Sequence, residues 1–325
     1  MSELTYREGV IRALEEELER DDRVLLLGED VGAAGGVFQA TAGLFERFGP
    51  RRVRDTPISE QAIVGCALGA SVTGLRPVAE IMFADFAGVC FDQIANQLAK
   101  YRYMTGGQTA VPVTIRMANG GGVGFAAQHS QAVENWFLNV PGLKICVPGT
   151  PADAYGLLKA AIRDDNPVLV FEHKQLYPSR GPVPDADGLV ELGKAAVVRT
   201  GSDITVVATQ LMRHRAVAAA ELLAAEGIDL EIVDPRTLVP LDIETIVGSV
   251  EKTGRLVCVQ ECSPGGSWGA TVVAAVVEQV WESLDVRPRL VSGDETPIPY
   301  AGSLEDAWLP SVDRITAELR DVAAE

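Results

Sequence analysis

The sequence predicts an α/β protein: a mostly parallel sheet with helices on both faces, followed by a smaller α/β domain. Short apolar runs, Val24 to Leu27, Arg76 to Phe83, Val111 to Met117, Lys144 to Val147 and Val168 to Phe171, read as buried strands. Helical segments separate them, and strand, helix, strand alternation implies right-handed crossovers and parallel pairing. At 325 residues the chain is long for one core, so two domains are expected. Tyr177 to Glu191, with Pro178, Pro182 and Pro184, reads as a stretch that neither coils into a helix nor pairs well. We therefore expect domains over 1–185 and 193–325, joined by a linker over 186–192.

The first helix carries its start signal, because Thr5 and Glu8 form a capping-box pair, and Val10, Ile11, Leu14 and Leu18 make one apolar stripe. The strand ending at Leu27 runs into Gly28-Glu29-Asp30. Two carboxylates thus stand at a strand's carboxyl end, where open α/β sheets bind ligands; a loop that caps the next helix is the other reading. Gly35-Gly36 opens a glycine-rich loop and helix leading to Asp55-Thr-Pro-Ile-Ser-Glu60. There Pro57 keeps Thr56 out of the helical region and Ser59 can cap a helix that begins at Glu60. That helix is almost free of charge, and Gly65, Gly69 and Gly74 suggest that another backbone packs closely on it. Glu60 is either a helix-dipole carboxylate or a reactive one, and spacing leaves both open.

Phe86 follows the next strand and is core or a pocket wall, whereas Phe91, Ile94, Leu98 and Tyr101 recur at helical spacing as core. Ala118-Asn-Gly-Gly-Gly-Val-Gly124 lacks both the GxGxxG pattern and the lysine of a phosphate loop. His129 stands beyond it, at a strand end after a flexible loop, where structural and functional readings balance. His173 and His214 read as structural, and no pair of histidines has metal-ligand spacing. After the linker come strands 204–208, 229–233, 256–259 and 287–291 with helices 211–226, 242–250 and 268–283. This part shows no dense set of polar strand-end residues, so docking or assembly is expected of it.

Hydrophobic content of 47% with 22% charge describes a folded, soluble chain. The net charge of −17 argues against phosphate-backbone binding. Met1-Ser-Glu-Leu-Thr has no basic or apolar leader, so the cytoplasm is the expected compartment. Cys66, Cys90, Cys146, Cys258 and Cys262 show no CxxC spacing and read as reduced, buried thiols.

With these residues assembled, the chain resembles, over essentially its whole length, the beta subunit of the thiamine-diphosphate-dependent decarboxylating component of 2-oxo acid dehydrogenase complexes. The pyruvate, branched-chain and acetoin enzymes belong to that group. The matching stretches include Leu27-Gly-Glu-Asp-Val31, Asp55 to Glu60, Phe83-Ala-Asp-Phe86, Phe91-Asp-Gln-Ile94, Ala127-Gln-His-Ser-Gln131, Pro141-Gly-Leu-Lys144 and Ile162-Arg-Asp-Asp-Asn-Pro167. Met82 to Phe86, Gly88 to Gln93, Tyr101 to Gly107 and Glu172 to Tyr177 look most like the acetoin type.

The resemblance implies a pyrimidine-binding domain followed by a transketolase C-terminal-like domain. It gives Glu60 the role of bonding the ring nitrogen of the cofactor's aminopyrimidine, a task that suits a carboxyl in a dry site. It makes Phe86 the ring that stacks on the pyrimidine, and Glu29 and Ile58 further pocket wall. His129 becomes the group that assists proton transfer as the acyl unit passes to lipoamide. A structural potassium ion is implied on mainly backbone oxygens of Val113, Ala161, Ile162, Asp164 and Asn166. The family's Gly-Asp-Gly diphosphate and magnesium motif is absent, since Gly293-Asp-Glu does not fit. An alpha subunit should therefore supply those ligands to thiamine diphosphate and magnesium in an alpha2-beta2 assembly, with a lipoyl acyltransferase core as further partner. A lipoamide-independent two-chain carboligase of transketolase type, and a scaffold with a vestigial pocket, are the alternatives.

Overall fold

A computed structural model describes every residue except Ala186, so that first position of the expected linker lies outside the described residues. The chain forms two compact units, Met1–Asn119 with Trp136–Leu192, and Gly120–Asn135 with Gly193–Glu325.

In the first unit β1 (Ser2–Thr5) leads into α1 (Tyr6–Arg20), and both bonds of the capping box are made, Glu8 N–H to Thr5 Oγ1 at 3.1 Å and Thr5 N–H to Glu8 Oε2 at 2.7 Å. Val10, Leu14 and Leu18 are buried and Ile11 is half-buried; each of the two leucines contributes roughly 2 kcal/mol by leaving water. Then follow β2 (Val24–Gly28), α2 (Leu44–Phe48), β3 (Val53–Asp55), α3 (Glu60–Val72) and β4 (Arg76–Ile81). After them come α4 (Ala99–Met104), β5 (Thr114–Asn119), β6 (Lys144–Cys146), α5 (Pro151–Arg163), β7 (Val168–His173) and β8 (Arg180–Val183). The strands lie parallel in the order β6-β7-β5-β4-β2-β3, which sets the carboxyl ends of β2, β4 and β5 side by side. α3 packs on β2 and β4, and α5 lies on β7 with α1 against it.

Several expectations are corrected here. The proline-bearing stretch does pair: β8 runs antiparallel to β1, Thr5 opposite Arg180, because Pro182 in an edge strand has no ladder donor to lose. β5 begins at Thr114 rather than Val111, since Pro112 interrupts the donors and Val111 N–H turns to Asp165 O at 3.0 Å. Ser59 makes no side-chain cap on α3. The segment after Phe91 is a π-turn over Gln93–Leu98, and Phe91 is partly exposed rather than core. Cys66 is exposed. Among the described residues no backbone from another element meets Gly65, Gly69 or Gly74: a Cβ at Gly65 would touch the Gln93 side chain at 3.5 Å, and Gly69 and Gly74 face open space.

The second unit holds β9 (Ala196–Arg199), β10 (Ile204–Ala208), α6 (Gln210–Ala224), β11 (Leu230–Asp234), the short β12 (Thr237–Val239), α7 (Ile243–Thr253), β13 (Leu256–Val259), α8 (Trp268–Val280) and β14 (Arg289–Val291). Its sheet runs β14-β13-β10-β11-β9, parallel except for β9. Val206, Ile232 and Val257 from this sheet bury against Met212 and Leu223 of α6. Two helices unread in the sequence end the chain, α9 (Gly302–Trp308) and α10 (Val312–Ala324), and Ile315 and Leu319 of α10 close that core. The strand ends are more polar than expected, with Thr209, Asp234, Gln260 and Glu261 all buried. Among the described residues no helix is long and apolar enough to cross a membrane.

Candidate active site

The carboxyl ends of β2 and β4 carry the first cluster. Thr56 N–H donates to Gly28 O at 2.9 Å and Gly32 N–H to Asp55 Oδ1 at 2.6 Å, so the turn before α3 is tied to the end of β2. Gly28 is required there, because a Cβ would lie 2.9 Å from Glu80 O of the neighbouring strand. Glu29 follows it, buried, with Oε1 unpartnered among the described residues; Thr56 Oγ1 is likewise buried and unpartnered. Burial first, and then the charges of Glu60 and Asp30, push the Glu29 carboxyl above the usual range. Glu60, only 6% exposed, begins α3, where the helix dipole favours a carboxylate.

Phe86 completes the cluster. It stands in the 3-10 turn Ala84–Gly88 after β4, and the Cys90 thiol one turn on donates to Phe86 O at 3.7 Å. Burial, with the Glu60 charge second, raises that thiol to about 12, so Glu60 faces this turn as well. The Phe86 ring meets Phe83 edge-on at 5.7 Å, Phe83 meets Phe38 at 5.5 Å, and Phe38 stacks on Tyr177 at 5.5 Å. Ile58, in the turn before α3, is 84% exposed.

Beneath this cluster lies a charged layer the sequence reading missed. Arg116 of β5 donates to Glu80 of β4 at 2.6 Å and to both oxygens of Glu172 of β7 at 2.8 Å each, and Tyr177 Oη donates to Glu172 at 2.9 Å. Burial raises the Glu80 carboxyl, Arg116 opposes this and Glu172 adds to it. Arg116, the one charge in β5, and Glu80, set between Ala79 and Ile81 of β4, were the available signal.

The five expected potassium positions gather at the end of α5 and the start of β5. Arg76 already donates to Ile162 O at 2.9 Å and Asp164 O at 2.6 Å, and Val113 O accepts Val168 N–H at 2.9 Å. Ala161 O accepts Asp164 N–H at 3.2 Å, and the Asp164 carboxylate takes Lys144 and the Asn166 side-chain amide. These oxygens are thus engaged by the Arg76 guanidinium, by Lys144 and by amides of this chain.

His129 belongs to the second unit, half-buried in the loop after β5. Its N–H donates to Ala126 O at 3.5 Å. The glycine loop before it is no empty phosphate cradle: Gly121 N–H donates to Glu261, and Gly122 and Gly124 donate to Glu305 at 2.7 and 2.9 Å. Residues 140 and more positions downstream left no local signal for this.

Residues 2–180 match the transketolase pyrimidine-binding domain and residues 193–315 the transketolase C-terminal domain. The two domain matches thus define a transketolase-type chain of a thiamine-diphosphate-dependent family. The acetoin:2,6-dichlorophenolindophenol oxidoreductase beta subunit of Cupriavidus necator is 47% identical, over 98% of this chain and 96% of its own. From Bacillus subtilis, the 2-oxoisovalerate dehydrogenase beta subunit is 46% identical over 99% of both chains, and the pyruvate dehydrogenase E1 beta subunit 43% over 99% of both. A solved split-gene transketolase, an inactive beta4 tetramer, superposes with a TM-score of 0.80 at 26% identity, covering 99% of each chain. The chain belongs to the family of beta subunits of heteromeric, thiamine-diphosphate-dependent 2-oxo acid and acetoin dehydrogenases.

Proposed function

We propose that this chain, with an alpha subunit, cleaves a 2-oxo acid or acetoin and passes the acyl group to lipoamide. The observation that carries the reading is the Glu29 and Glu60 pair, two buried carboxyls held beside the Phe86 turn, one with an orphan oxygen. A buried carboxyl oxygen without a partner among the described residues, as Glu29 Oε1 is, costs stability, so a ligand group that shares a proton there gives it a use.

In this reading residues 1–185 form the pyrimidine-binding domain and 193–325 the C-terminal domain. Glu60 holds a proton at the aminopyrimidine ring nitrogen, Phe86 stacks on that ring, and Glu29 and Ile58 wall it in. Burial, ahead of the neighbouring charges, holds the Glu29 carboxyl above the usual range and so favours its protonated form. Thiamine diphosphate, when bound, supplies the acidic carbon that attacks the substrate carbonyl and the electron sink for the bond that breaks. His129 moves a proton at the acyl oxygen during transfer. The alpha chain contributes the diphosphate and magnesium ligands in an alpha2-beta2 assembly on a lipoyl acyltransferase core, and the oxygens of Val113, Ala161, Ile162, Asp164 and Asn166 hold potassium. The enzyme works in the cytoplasm. Identities of 47% and 46% rank acetoin and a branched-chain 2-oxo acid equally as substrate.

Replacing Glu60 with glutamine in the alpha–beta pair tests the mechanism. Proton exchange at the thiazolium carbon should slow by about 10²- to 10⁴-fold. Exchange at the unmodified rate removes Glu60 from its role. Turnover with aldehydes and none with a lipoyl domain favours the carboligase instead.

A further inference from the structure

We propose that Glu305, assisted by Glu261, is a positioning residue for His129, acting through the glycine loop between them. This rests on the reading of His129 as the proton-transfer group.

Residues 120, 121, 122 and 124 are glycine, which loses more conformational freedom on ordering than any other residue. A loop of this composition before a reacting side chain needs an external restraint to hold one shape. The structure supplies that restraint. Gly120, Gly122 and Gly124 take φ values of +81°, +84° and +75°, with Ala126 at +58°. Backbone of alternating hand turns successive N–H groups inward, as an anion-binding nest does. The chain fills the nest itself. Glu305 Oε1 accepts Gly122 N–H at 2.7 Å, Oε2 accepts Gly124 N–H at 2.9 Å, and Glu261 accepts Gly121 N–H. Both carboxylates are buried, Glu305 at 3% and Glu261 at 7% exposure. Bonds to an ionised acceptor are roughly twice as strong as neutral ones.

The two anchors stand on separate elements. Glu261 lies two residues beyond β13, and Glu305 is on α9, whose Trp308 buries with Ile298 and Leu309 and donates its indole N–H to Thr296 O at 3.0 Å. At the loop's base Gly120 N–H donates to Gln131 O at 3.2 Å, and a Cβ at Gly121 would lie 3.3 Å from Ser130 O and 3.4 Å from Glu305 Oε1. His129 therefore sits inside a closed loop, one residue from a neighbour packed on Gly121, with carboxylates gripping the opposite arm. Only a carboxylate offers two equivalent acceptors, so glutamine at 305 releases one of the two amides.

The test uses the reconstituted alpha–beta pair, with dye-linked cleavage and acyl transfer to a lipoyl domain measured separately. In Glu305→Gln, hydrogen exchange at the Gly122 and Gly124 amides should rise about tenfold, as loss of one charge-assisted bond predicts. The ratio of acyl transfer to dye-linked turnover should fall about tenfold, the scale of a misplaced reacting group. A purely structural role lowers both rates together and leaves the ratio. Adding Glu305→Gln to His129→Ala should cost no further transfer activity. Unchanged amide exchange, an unchanged ratio, or a full additional loss in the double variant overturns the inference. If Glu305→Gln does not fold, Glu261→Gln, anchored after β13, is judged by the same ratio and Gly121 exchange. If His129→Ala alone transfers at the unmodified rate, the functional reading of His129 fails, whereas amide exchange still reads the clamp.

Discussion

Replacing Arg116 with methionine should unfold the first unit more readily than any surface change, and its cost should fade in acid. Arg116 makes three bonds of 2.6 to 2.8 Å to two carboxylates in a layer shared by β4, β5 and β7. Without it Glu172 keeps the Tyr177 hydroxyl, and two buried carboxylates lose the guanidinium that both of them pair with. Removing one partner of a buried ion pair costs about 3–5 kcal/mol. For a unit of this size that lowers the melting point by roughly 10 °C. The sign with pH follows from Glu80, whose carboxyl is already raised above 4.5 by burial, despite Arg116. Loss of the guanidinium raises it further, so the folded variant binds protons more tightly than the unfolded chain. Its stability is greatest below 4.5 and declines as pH rises through the raised folded value. Thermal melts at pH 7 and pH 5 read this directly. A deficit under about 1 kcal/mol, or one equal at both pH values, refutes the buried-triad account. Changing Glu80 and Glu172 to glutamine beside Arg116→Met should recover much of the loss, since a neutral layer pays no charge burial.

Glu29→Gln should stabilise the chain at pH 7 by about 1 kcal/mol, the usual gain on relieving a strained functional group. The raised Glu29 carboxyl fixes the window: the gain is full above its folded value and vanishes as pH falls below 4.5, where glutamate becomes protonated in both states, and melts across that range show it. A thiol titration of the native isolated chain should modify Cys66 alone, because burial raises Cys90 to about 12 and lifts Cys146, Cys258 and Cys262 as well. Adding the alpha chain should slow that reaction if the open face of α3 is the docking face; an unaltered rate places docking elsewhere.

Local rules made much of the fold legible. The Thr5 and Glu8 capping pair, the apolar strands and the start of α3 at Glu60 are each written within a few residues. In the second unit the element limits differ from expectation by up to three residues, as at α7 and α8, where end turns fray. Illegible features depend on distant partners. β8 pairs because β1 comes to it across the chain, and a proline count says nothing of that. The glycines at 65, 69 and 74 hinted at a close backbone, yet none meets them among the described residues, because glycine spacing cannot say whose backbone approaches. The glycine loop was readable as an amide-rich turn, but its acceptors are carboxylates 140 and 183 residues away.

The pairing of β1 with β8 also orders events during synthesis. Thr5 cannot meet Arg180 until that residue has left the ribosome, so the first unit stays open at its leading end while some 175 residues are made. At about 5–20 residues per second this lasts roughly 10 to 35 s. For most of it α5, the helix on which α1 packs, has yet to be made. The amino-terminal strand thus works as a latch closed late, and holding factors that recognise exposed apolar helix faces have their opportunity in that interval.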